Sequence, residues 1–272
     1  MKASIEIIKN IKENWKLSMT LARNDFKTKF AGSYLGIVWS FIQPIVTILV
    51  YWFVFQVGLR DTSVAKTEAY PYVLYLISGI VPWFFFADAL SGGATGFLDY
   101  SYLVKQVVFN ISIIPFIKVV SAIFVHLFFV LFTVILFVAN GFYPDIYYIQ
   151  ILYYMLCTFI LSLGLAYLFS SIVVFFRDMK QIINIIIIQT GVWITPIMWN
   201  AENTLSPLLL KIFKLNPVYY IVDGYRDAFL FHRFFWQGKG MWTLYFWVIT
   251  ILIFMFGSGV YKRSRPHFAD LL

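Results

Sequence analysis

Long apolar segments, several of them without any charged residue, constrain the fold of this chain more than any other feature. Leu35–Gly58 and Tyr147–Phe176 are the clearest, since neither contains a charge. A helix needs about 20 mostly apolar residues to cross the hydrocarbon core of a bilayer. Hydrophobic residues make up 61% of the chain and charged residues 12%, whereas soluble domains average about 45–50% and 25%. These proportions exclude an ordinary soluble domain.

The predicted fold is an all-α polytopic membrane protein with six transmembrane helices. The N-terminal residues lack the hydrophobic core of a signal peptide, so the internal segments are expected to direct insertion. The whole chain, 1–272, is interpreted as one transmembrane domain with an interfacial segment at 1–33, a bundle at 35–262 and a tail at 263–272. The predicted spans are Leu35–Gly58, Tyr70–Leu90, Ile111–Ala139, Tyr147–Phe176, Gln181–Asn200 and Met241–Tyr261.

The net charge of +8 is explained by the membrane rather than by nucleic acid. Basic residues lie mainly at the ends of apolar segments, where anionic lipid headgroups attract them. Cytoplasmic loops carry an excess of Lys and Arg, and both chain ends are rich in them, which predicts that both termini are cytoplasmic. The opposite side carries Arg60, Lys66, Lys211, Lys214, Arg226, Arg233 and Lys239, partly offset by Glu202, Asp223 and Asp227.

Three connecting segments are expected to form shorter helices. Ile5–Leu17 is amphipathic and predicts a helix in the membrane interface. Ser91–Asn110 contains three glycines and then a mixed run, which predicts a short cytoplasmic helix. Ala201–Gly240 is too polar for a span and too aromatic for a solvated loop. It predicts re-entrant or interfacial helices between the fifth and sixth spans.

The sequence lacks the residues that would supply an energy source. It contains no Gly-rich phosphate loop, no catalytic carboxylate pair or triad, and no cluster suited to a metal, and its single cysteine, Cys157, lies within an apolar segment. Asp88, Lys118 and His126 are the ionisable residues within the spans, too few for an ion relay. Lys118 is expected to reach the interface and His126 to hydrogen-bond a neighbouring helix. Uphill transport would therefore need a partner that supplies energy.

Aromatic residues make up 21% of the chain, and many lie in the middle of apolar segments. Aromatic rings can stack on sugar faces, so such residues would suit a channel for a long glycopolymer. Packing between helices explains any one of them equally well. The candidate channel residues are Trp39, Trp52, Trp193 and Trp199.

Several short motifs occur together in a characteristic order. They are LARNDFKTKF at 21–30, SYLGIVW at 33–39, Gln43-Pro44, LVKQVVF at 103–109, FRDM at 176–179, WITPIM at 193–198, Leu215-Asn216-Pro217, GYRD at 224–227 and Phe268-Ala269-Asp270. This combination resembles the type-2 ABC exporter permeases that move O-antigen, capsular polysaccharide and wall teichoic acid. YWFVF at 51–55, followed by Gly58, is most similar to the teichoic-acid branch.

The resemblance implies a complex of two copies of this chain with two copies of a separate ATPase, which would bind ATP and Mg. No cofactor is expected in the chain itself, and the resemblance implies a multi-pass protein of a bacterial plasma membrane. It implies a polyprenyl-diphosphate-linked polymer as substrate, wall teichoic acid first, with O-antigen or capsule as the alternative. The matching positions are Asp99, Tyr102, Lys105, Phe109, Arg177 and Asp178 for ATPase coupling; Lys12, Lys16, Arg23, Lys27 and Lys29 for the substrate headgroup; and Asn216, Pro217, Tyr220 and Arg226 for an outer gate.

Two other classes of function are weaker alternatives. A membrane enzyme acting on polyprenyl-linked sugars would need an acid–base pair, for which Asp99, Asp178 and His126 are loose candidates on different segments. An ion-coupled flippase would need more charge inside the membrane than the sequence contains.

Overall fold

The computed structural model describes residues 2–29, 32–58, 70–106 and 109–272, and within these ranges the chain is helical without any strand. The predicted outer-side charges Arg60 and Lys66 lie outside the described residues. The all-α prediction is confirmed for the described part of the chain.

Five helical stretches are long and apolar enough to cross a membrane, and they correspond to five of the six predicted spans. Their principal helices are α3 (Trp39–Trp52), α4 (Tyr72–Asp99), α6 (Ile114–Ala139), α7 (Gln150–Phe175) and α13 (Gly240–Ser264). Short 3-10 or π turns extend several of them, so that the stretches run over Gly36–Gly58, Tyr72–Asp99, Ile111–Ala139, Ile146–Phe175 and Gly240–Leu271.

The predicted span at Gln181–Asn200 is shorter in the structure, where the helical stretch covers Met179–Ile194. At about 1.5 Å per residue this is roughly 24 Å, less than the ~30 Å of a hydrocarbon core. The stretch consists of α8 (Met179–Ile182), a π turn and α9 (Gly191–Ile194). Pro196 explains its end, because the residue before a proline disfavours the helical conformation, and Thr195 is extended. A sixth full span is thus not confirmed.

The N-terminal segment forms two helices, α1 (Lys2–Glu13) and α2 (Trp15–Thr28), which break at Asn14. Helix α1 packs against α13 and buries Ile7 and Ile11, while α2 lies along α6. The phenyl rings of Phe26 and Phe124 approach to 5.3 Å between α2 and α6. The predicted helix at Ile5–Leu17 is therefore present as parts of two helices, and its position in a membrane interface stays a prediction.

Helix α4 forms the centre of the bundle and packs between α6 and α7, with α13 on the far side of α7. Small residues allow α7 and α13 to approach closely. A Cβ added to Gly257 would lie 2.4 Å from the Gly164 carbonyl oxygen, so a larger residue cannot fit there without moving a helix.

Between Thr195 and α13 the chain forms α10 (Ala201–Thr204), α11 (Pro207–Lys214) and α12 (Pro217–Arg226). Asn216 caps the start of α12 by accepting from the Val218 amide, and Pro217 occupies the first turn, where its missing N–H costs nothing. Helix α11 buries no residue, whereas α12 packs deeply on α4 and α7. The expected helix pair is present, and its depth in a membrane is not shown.

The remaining short helices are α5 (Ser101–Val104) and α14 (Phe268–Leu271). Helix α5 corresponds to the short helix predicted within Ser91–Asn110. Helix α4, however, continues through Ser91 to Asp99 and includes the three glycines that were expected to lie in the connection.

Candidate translocation and coupling sites

Lys118 of α6 forms the centre of a polar cluster that joins three helices. Its Nζ atom lies 2.7 Å from Oδ1 of Asp25 in α2 and 3.0 Å from Oδ2 of Asp99 at the end of α4. The Tyr100 hydroxyl donates to Asp25 at 2.9 Å, and Thr95 donates to Asp99 at 3.0 Å. Lys118 was expected to reach the interface, but the structure pairs it with two carboxylates. A predicted coupling residue, Asp99, is thereby linked to α2, the helix that carries the predicted headgroup residues Lys16, Arg23 and Lys27.

The Lys118 cluster holds its charges in a partly dry environment. The Lys118 side chain is 13% exposed and that of Asp25 is 11% exposed. Burial and the neighbouring Asp25 raise the pKa of the Tyr100 phenol, so this hydroxyl stays a proton donor. Breaking such a pair by removing one partner costs about 3–5 kcal/mol, because the other charge stays buried without compensation. Helix α2 is therefore held to the bundle by Lys118.

A second ion pair, between Lys29 and Asp88, links the end of α2 to the middle of α4. Both pairs line a cavity of about 570 Å³. Two ammonium groups face three carboxylates in this cavity, so it has no excess of positive charge. Lys29, a predicted headgroup residue, is thus neutralised. The other predicted headgroup residues are exposed and make no ion pair within the described part of the chain: Lys12, Lys16, Arg23 and Lys27.

A smaller cavity of about 240 Å³ adjoins the first, and Lys29 and Asp88 line both. Trp39, Phe84 and Phe129 give it aromatic walls, and the buried His126 also lines it. Trp39 is therefore the predicted channel aromatic that faces a cavity within this chain.

The other predicted channel aromatics lie apart from this cavity. Trp193 is 53% exposed and 6.2 Å from the Tyr51 ring, and Trp199 packs 5.9 Å from the ring of Phe213. Trp52 is half-buried against the main core. One copy of the chain does not bring the four tryptophans together in a single channel.

One face of the bundle is exposed and contains polar residues among its apolar ones. It is formed by α3, the π turn after it and the Met179–Ile194 stretch, where Phe53, Ile186 and Trp193 are exposed. Gln56 and Gln189 are exposed on the same two segments. An amide facing hydrocarbon without a hydrogen bond is costly, so water or protein suits this face better than lipid.

The predicted coupling residues gather at the end of the bundle that carries both termini. Tyr102 follows the Lys118 cluster and is 59% exposed. Phe109 lines a cavity of about 420 Å³ with Phe268 and with Glu6, whose hydrogen bond from Lys262 lowers its pKa. Lys105 is exposed beside α5.

Arg177 and Asp178 are exposed at the turn between α7 and α8. The ring of Phe175, two residues before Arg177, is 6.2 Å from that of Phe268. Because Phe268 also lines the cavity of Phe109, the turn and the α5 region lie at the same end of the bundle. A partner protein could therefore contact both.

The predicted outer-gate residue Arg226 is buried and holds the non-helical segment after α9. Its guanidinium donates to the carbonyl oxygen of Pro196 at 2.8 Å and to that of Ile197, and lies 3.8 Å from the centre of the Tyr75 ring. The hydroxyls of Tyr72 and Tyr75 donate to the next two carbonyls, those of Met198 and Trp199. Four consecutive carbonyls of an irregular segment are thereby satisfied by side chains of α4 and α12.

The other predicted gate residues fasten the N-terminal half of α12. The Asn216 amide donates to the Thr195 hydroxyl at 2.9 Å, beside Pro217. Tyr220 shares hydrogen bonds with the hydroxyls of Tyr153 and Thr243, at 3.1 and 3.0 Å. The described conformation therefore holds this helix closely against α7 and α13.

The sequence did not identify several partners of α12. The Nε2 atom of His126 lies 2.7 Å from the Tyr225 hydroxyl, which confirms that His126 hydrogen-bonds a neighbouring helix and identifies that helix as α12. Lys239 binds the carboxylates of Asp223 and Asp227 together. Burial raises the pKa of Asp227 to about 6. In the sequence, the only indication of this pairing is that Asp223, Asp227 and Lys239 lie close together along the chain.

The three residues considered for acid–base chemistry do not converge. Asp99 is paired with Lys118, His126 is bonded to Tyr225 and Asp178 is exposed on the α7–α8 turn. No group of three or more His, Cys, Asp or Glu suited to a metal occurs among the residues described.

Comparison with known proteins covers almost the whole chain. Residues 17–230 match the family described as ABC-2 type transporter. The chain is 23% identical to an O-antigen export system permease protein of Myxococcus xanthus over 98% of its own length and 99% of the relative's. It is 24% identical to an O-antigen export system permease protein of Klebsiella pneumoniae, over 99% and 100% of the two lengths.

Proposed function

The chain belongs to the ABC-2 type transporter family, and from this premise we propose that it is the membrane permease of an ATP-driven exporter of a lipid-linked polysaccharide. The observation that carries the proposal is its full-length similarity to O-antigen export permeases. The geometry adds support, because α2, with three of the candidate headgroup residues, is ion-paired through Lys118 to Asp99 of the candidate coupling segment.

Energy would come from a separate ATPase that binds ATP and Mg, in two copies. The proposed docking surface consists of the α5 region and the α7–α8 turn at the end that carries the termini. Its exposed residues offer both an apolar contact, at Tyr102, and charges, at Lys105, Arg177 and Asp178. A movement of the ATPase docked here would reach the Lys118 cluster directly, because Asp99 belongs to that cluster and lies next to α5.

A second copy of the chain would cover the exposed face of α3 and the Met179–Ile194 stretch. The amides of Gln56 and Gln189 support this placement, since a conduit between two copies would solvate them. Trp52 and Trp193 would then contribute to its wall. The conduit would belong to the dimer rather than to one chain, which agrees with the dispersed tryptophans.

The polyprenyl diphosphate headgroup would approach along the end of α1 and along α2. Lys12, Lys16, Arg23 and Lys27 retain unpaired charge for it, at about 1 kcal/mol of attraction per basic residue near an anionic surface. Lys29 would take part only after leaving Asp88. Both termini would be cytoplasmic in a multi-pass plasma-membrane protein.

We favour an O-antigen-like polysaccharide as the cargo because the relatives are named for O-antigen export. Wall teichoic acid, the first expectation from the sequence, stays an untested alternative. The two polymers differ in charge, since a teichoic acid carries a phosphate in each repeat.

Reconstitution with the ATPase in sealed vesicles tests the proposal. Polyprenyl-diphosphate-linked polysaccharide should stimulate ATP hydrolysis by the complex and become accessible on the opposite leaflet only with ATP. Stimulation by a lipid-linked poly(ribitol phosphate) alone would support the teichoic-acid cargo instead. ATP hydrolysis by the chain without a partner, or transport that requires only a proton gradient, would contradict the proposal.

A further inference from the structure

A cavity of about 210 Å³ lies between α12, the start of α13 with the loop before it, and the side chains of Glu202 in α10 and Lys214 at the end of α11. It is at the end of the bundle opposite to the termini. Helix α13 begins beside this cavity at Gly240, and its other end carries Lys262, which pairs with Glu6 of α1 at 2.7 Å. We propose that this α12–α13 cavity binds a neutral saccharide unit. It is separate from the exposed face assigned to the dimer and from the polar cavity beside Lys118.

Aromatic rings form much of the wall of the α12–α13 cavity. Tyr219, Tyr220, Trp242 and Tyr245 line it. The rings of Trp242 and Tyr245 meet at 84° with centroids 6.1 Å apart, so they form a corner. Tyr220 is held by its two hydrogen bonds and stacks on Phe246. Fixed rings of this kind offer flat apolar faces to the C–H groups of a sugar ring at little cost in conformational entropy.

Polar groups without a protein partner also face the α12–α13 cavity. Among the described residues, no hydrogen bond is made by the Tyr219 hydroxyl, the Trp242 indole N–H or the Arg233 guanidinium. Gln237 uses its side-chain oxygen to accept from the Phe234 amide at 3.0 Å, which leaves its NH₂ group free. Asp223 binds Lys239 through one oxygen and keeps the other available. Sugar hydroxyls both donate and accept, and this set can satisfy both roles.

The charges around the α12–α13 cavity cancel. Lys239 is shared by Asp223 and Asp227, and Lys214 lies 3.4 Å from Glu202. Three basic side chains, Lys214, Arg233 and Lys239, line the cavity beside two carboxylates, Glu202 and Asp223. Asp227 does not line it but binds Lys239 and supplies the third negative charge, so the group as a whole is neutral. A phosphate-bearing polymer gains no net electrostatic attraction here. A neutral hydroxylated ligand binds through hydrogen bonds and ring contacts and needs no such attraction.

The size of the α12–α13 cavity limits the ligand to a short unit. Sites for drug-sized molecules occupy about 300–1,000 Å³, so 210 Å³ suits a terminal or single sugar residue. The inference rests on the proposed function, because an exporter of polysaccharide would deliver the sugars to this site. It deepens that function by naming neutral sugars as the ligands of this end of the bundle. Such a site would hold the polymer after it leaves the conduit.

Saturation-transfer NMR on the full chain, in nanodiscs with its ATPase, tests the site. The probes are neutral trisaccharides of mannose, galactose, rhamnose and N-acetylglucosamine, with a glycerol phosphate trimer as the anionic comparison. We expect saturable transfer to at least one neutral trisaccharide. Trp242→Ala should weaken its binding at least tenfold, and Tyr219→Phe, which removes only a hydroxyl, about threefold or more. Trp236→Ala is the matched control, because Trp236 is exposed at 57% near the cavity without lining it.

The outcomes separate this inference from the proposed function. Binding that Trp242→Ala and Tyr219→Phe leave unchanged, preference for the glycerol phosphate trimer, or no transfer to any neutral probe would overturn the saccharide site. If ATP-driven export persists in the same preparation, the proposed exporter function would hold without the saccharide site. Saccharide binding without any ATP-dependent export would instead contradict the proposed exporter function and support the saccharide site.

Discussion

Arg226 shows how one side chain can satisfy the backbone of an irregular segment. Its planar guanidinium reaches two carbonyl oxygens at once and stacks on Tyr75, while Gly79 leaves the space that it needs. A lysine could not reproduce this fork or the stacking. The sequence predicted that Arg226 acts at an outer gate. Its burial beside four consecutive carbonyl groups could not be predicted, because this arrangement depends on α4, about 150 positions earlier in the chain.

We predict that Arg226→Lys destabilises the protein by about 1–3 kcal/mol, the usual cost of leaving a buried polar group without its partner. The Pro196 or Ile197 carbonyl would lose its donor. Thermal unfolding of the detergent-purified chain measures the change as a lower transition midpoint. Arg233→Lys, on the exposed neighbouring loop, is the control and should leave the midpoint unchanged. Equal midpoints for the two variants would argue against a structural role for the Arg226 fork.

Asp227 should make stability depend on pH in the direction opposite to most acidic residues. Burial raises its pKa from 3.8 to about 6 in the folded protein, so the native state holds the proton more tightly than the unfolded state. The contribution of Asp227 to stability therefore falls as the pH rises from about 4 through about 6, and it is lost by about pH 7. The shift corresponds to up to about 3 kcal/mol.

Asp227→Asn should remove this decline. Chemical unfolding of both proteins at pH 4, 5, 6 and 7 measures it, with Asp178→Asn as the control, because Asp178 is exposed and makes no ion pair within the described part of the chain. The variant should gain stability relative to the wild type as the pH rises. A difference that stays constant across this range would show that Asp227 has an ordinary pKa.

At the scale of helices, hydropathy predicted the long elements well and their ends poorly. The second span was expected to end at Leu90, because Gly92, Gly93 and Gly96 are typical of a connection. In the structure, α4 continues to Asp99. A Cβ at Gly93 would lie 2.5 Å from that of Ala166, so this glycine permits helix packing rather than a turn. Sequence alone cannot distinguish these two uses of glycine.

The ion pairs between helices were the least predictable part of the candidate site. Lys118 and Asp25 are 93 positions apart and lie on separate helices, so no local pattern connects them. The positions suggested by the family resemblance were more informative about location. Asp99, Phe109 and the Arg177–Asp178 turn do lie at one end of the bundle, although their contact with an ATPase stays a prediction.

We predict that Lys118→Met uncouples ATP hydrolysis from export. Without the ammonium, Asp25 and Asp99 repel each other, and α2 loses its attachment to the end of α4. In reconstituted vesicles, export per ATP should fall at least tenfold while basal hydrolysis persists. Lys118→Arg should retain most of the coupling, because it keeps the charge.

Lys9→Met is the matched control for this test, since Lys9 makes only an exposed contact with Glu13 within α1. A Lys118→Met protein that reaches the membrane, binds its ATPase and exports normally would exclude the cluster from coupling. Loss of assembly in Lys118→Met but not in Lys118→Arg would assign the cluster to folding instead.

At the scale of the whole molecule, the exposed face of α3 and the Met179–Ile194 stretch decides whether one copy is sufficient. Gln189 is exposed on this face. Leu131 is exposed on α6 among apolar neighbours, so that surface is expected to face lipid. The chain has one cysteine, Cys157, which is buried. A Cys157→Ser background therefore allows single thiols to be placed on either surface.

We predict that Gln189→Cys reacts with a charged, membrane-impermeant maleimide at least tenfold faster than Leu131→Cys in the assembled complex. Maleimides react with the thiolate, which forms readily in water and hardly at all in hydrocarbon. A short bis-maleimide should also link two Gln189→Cys chains into a dimer and leave Leu131→Cys chains monomeric. Slow labelling at both positions, with no linked dimer, would place this face against lipid. The conduit would then have to lie within one chain, where the described cavities beside Trp39 and Lys118 are its available path.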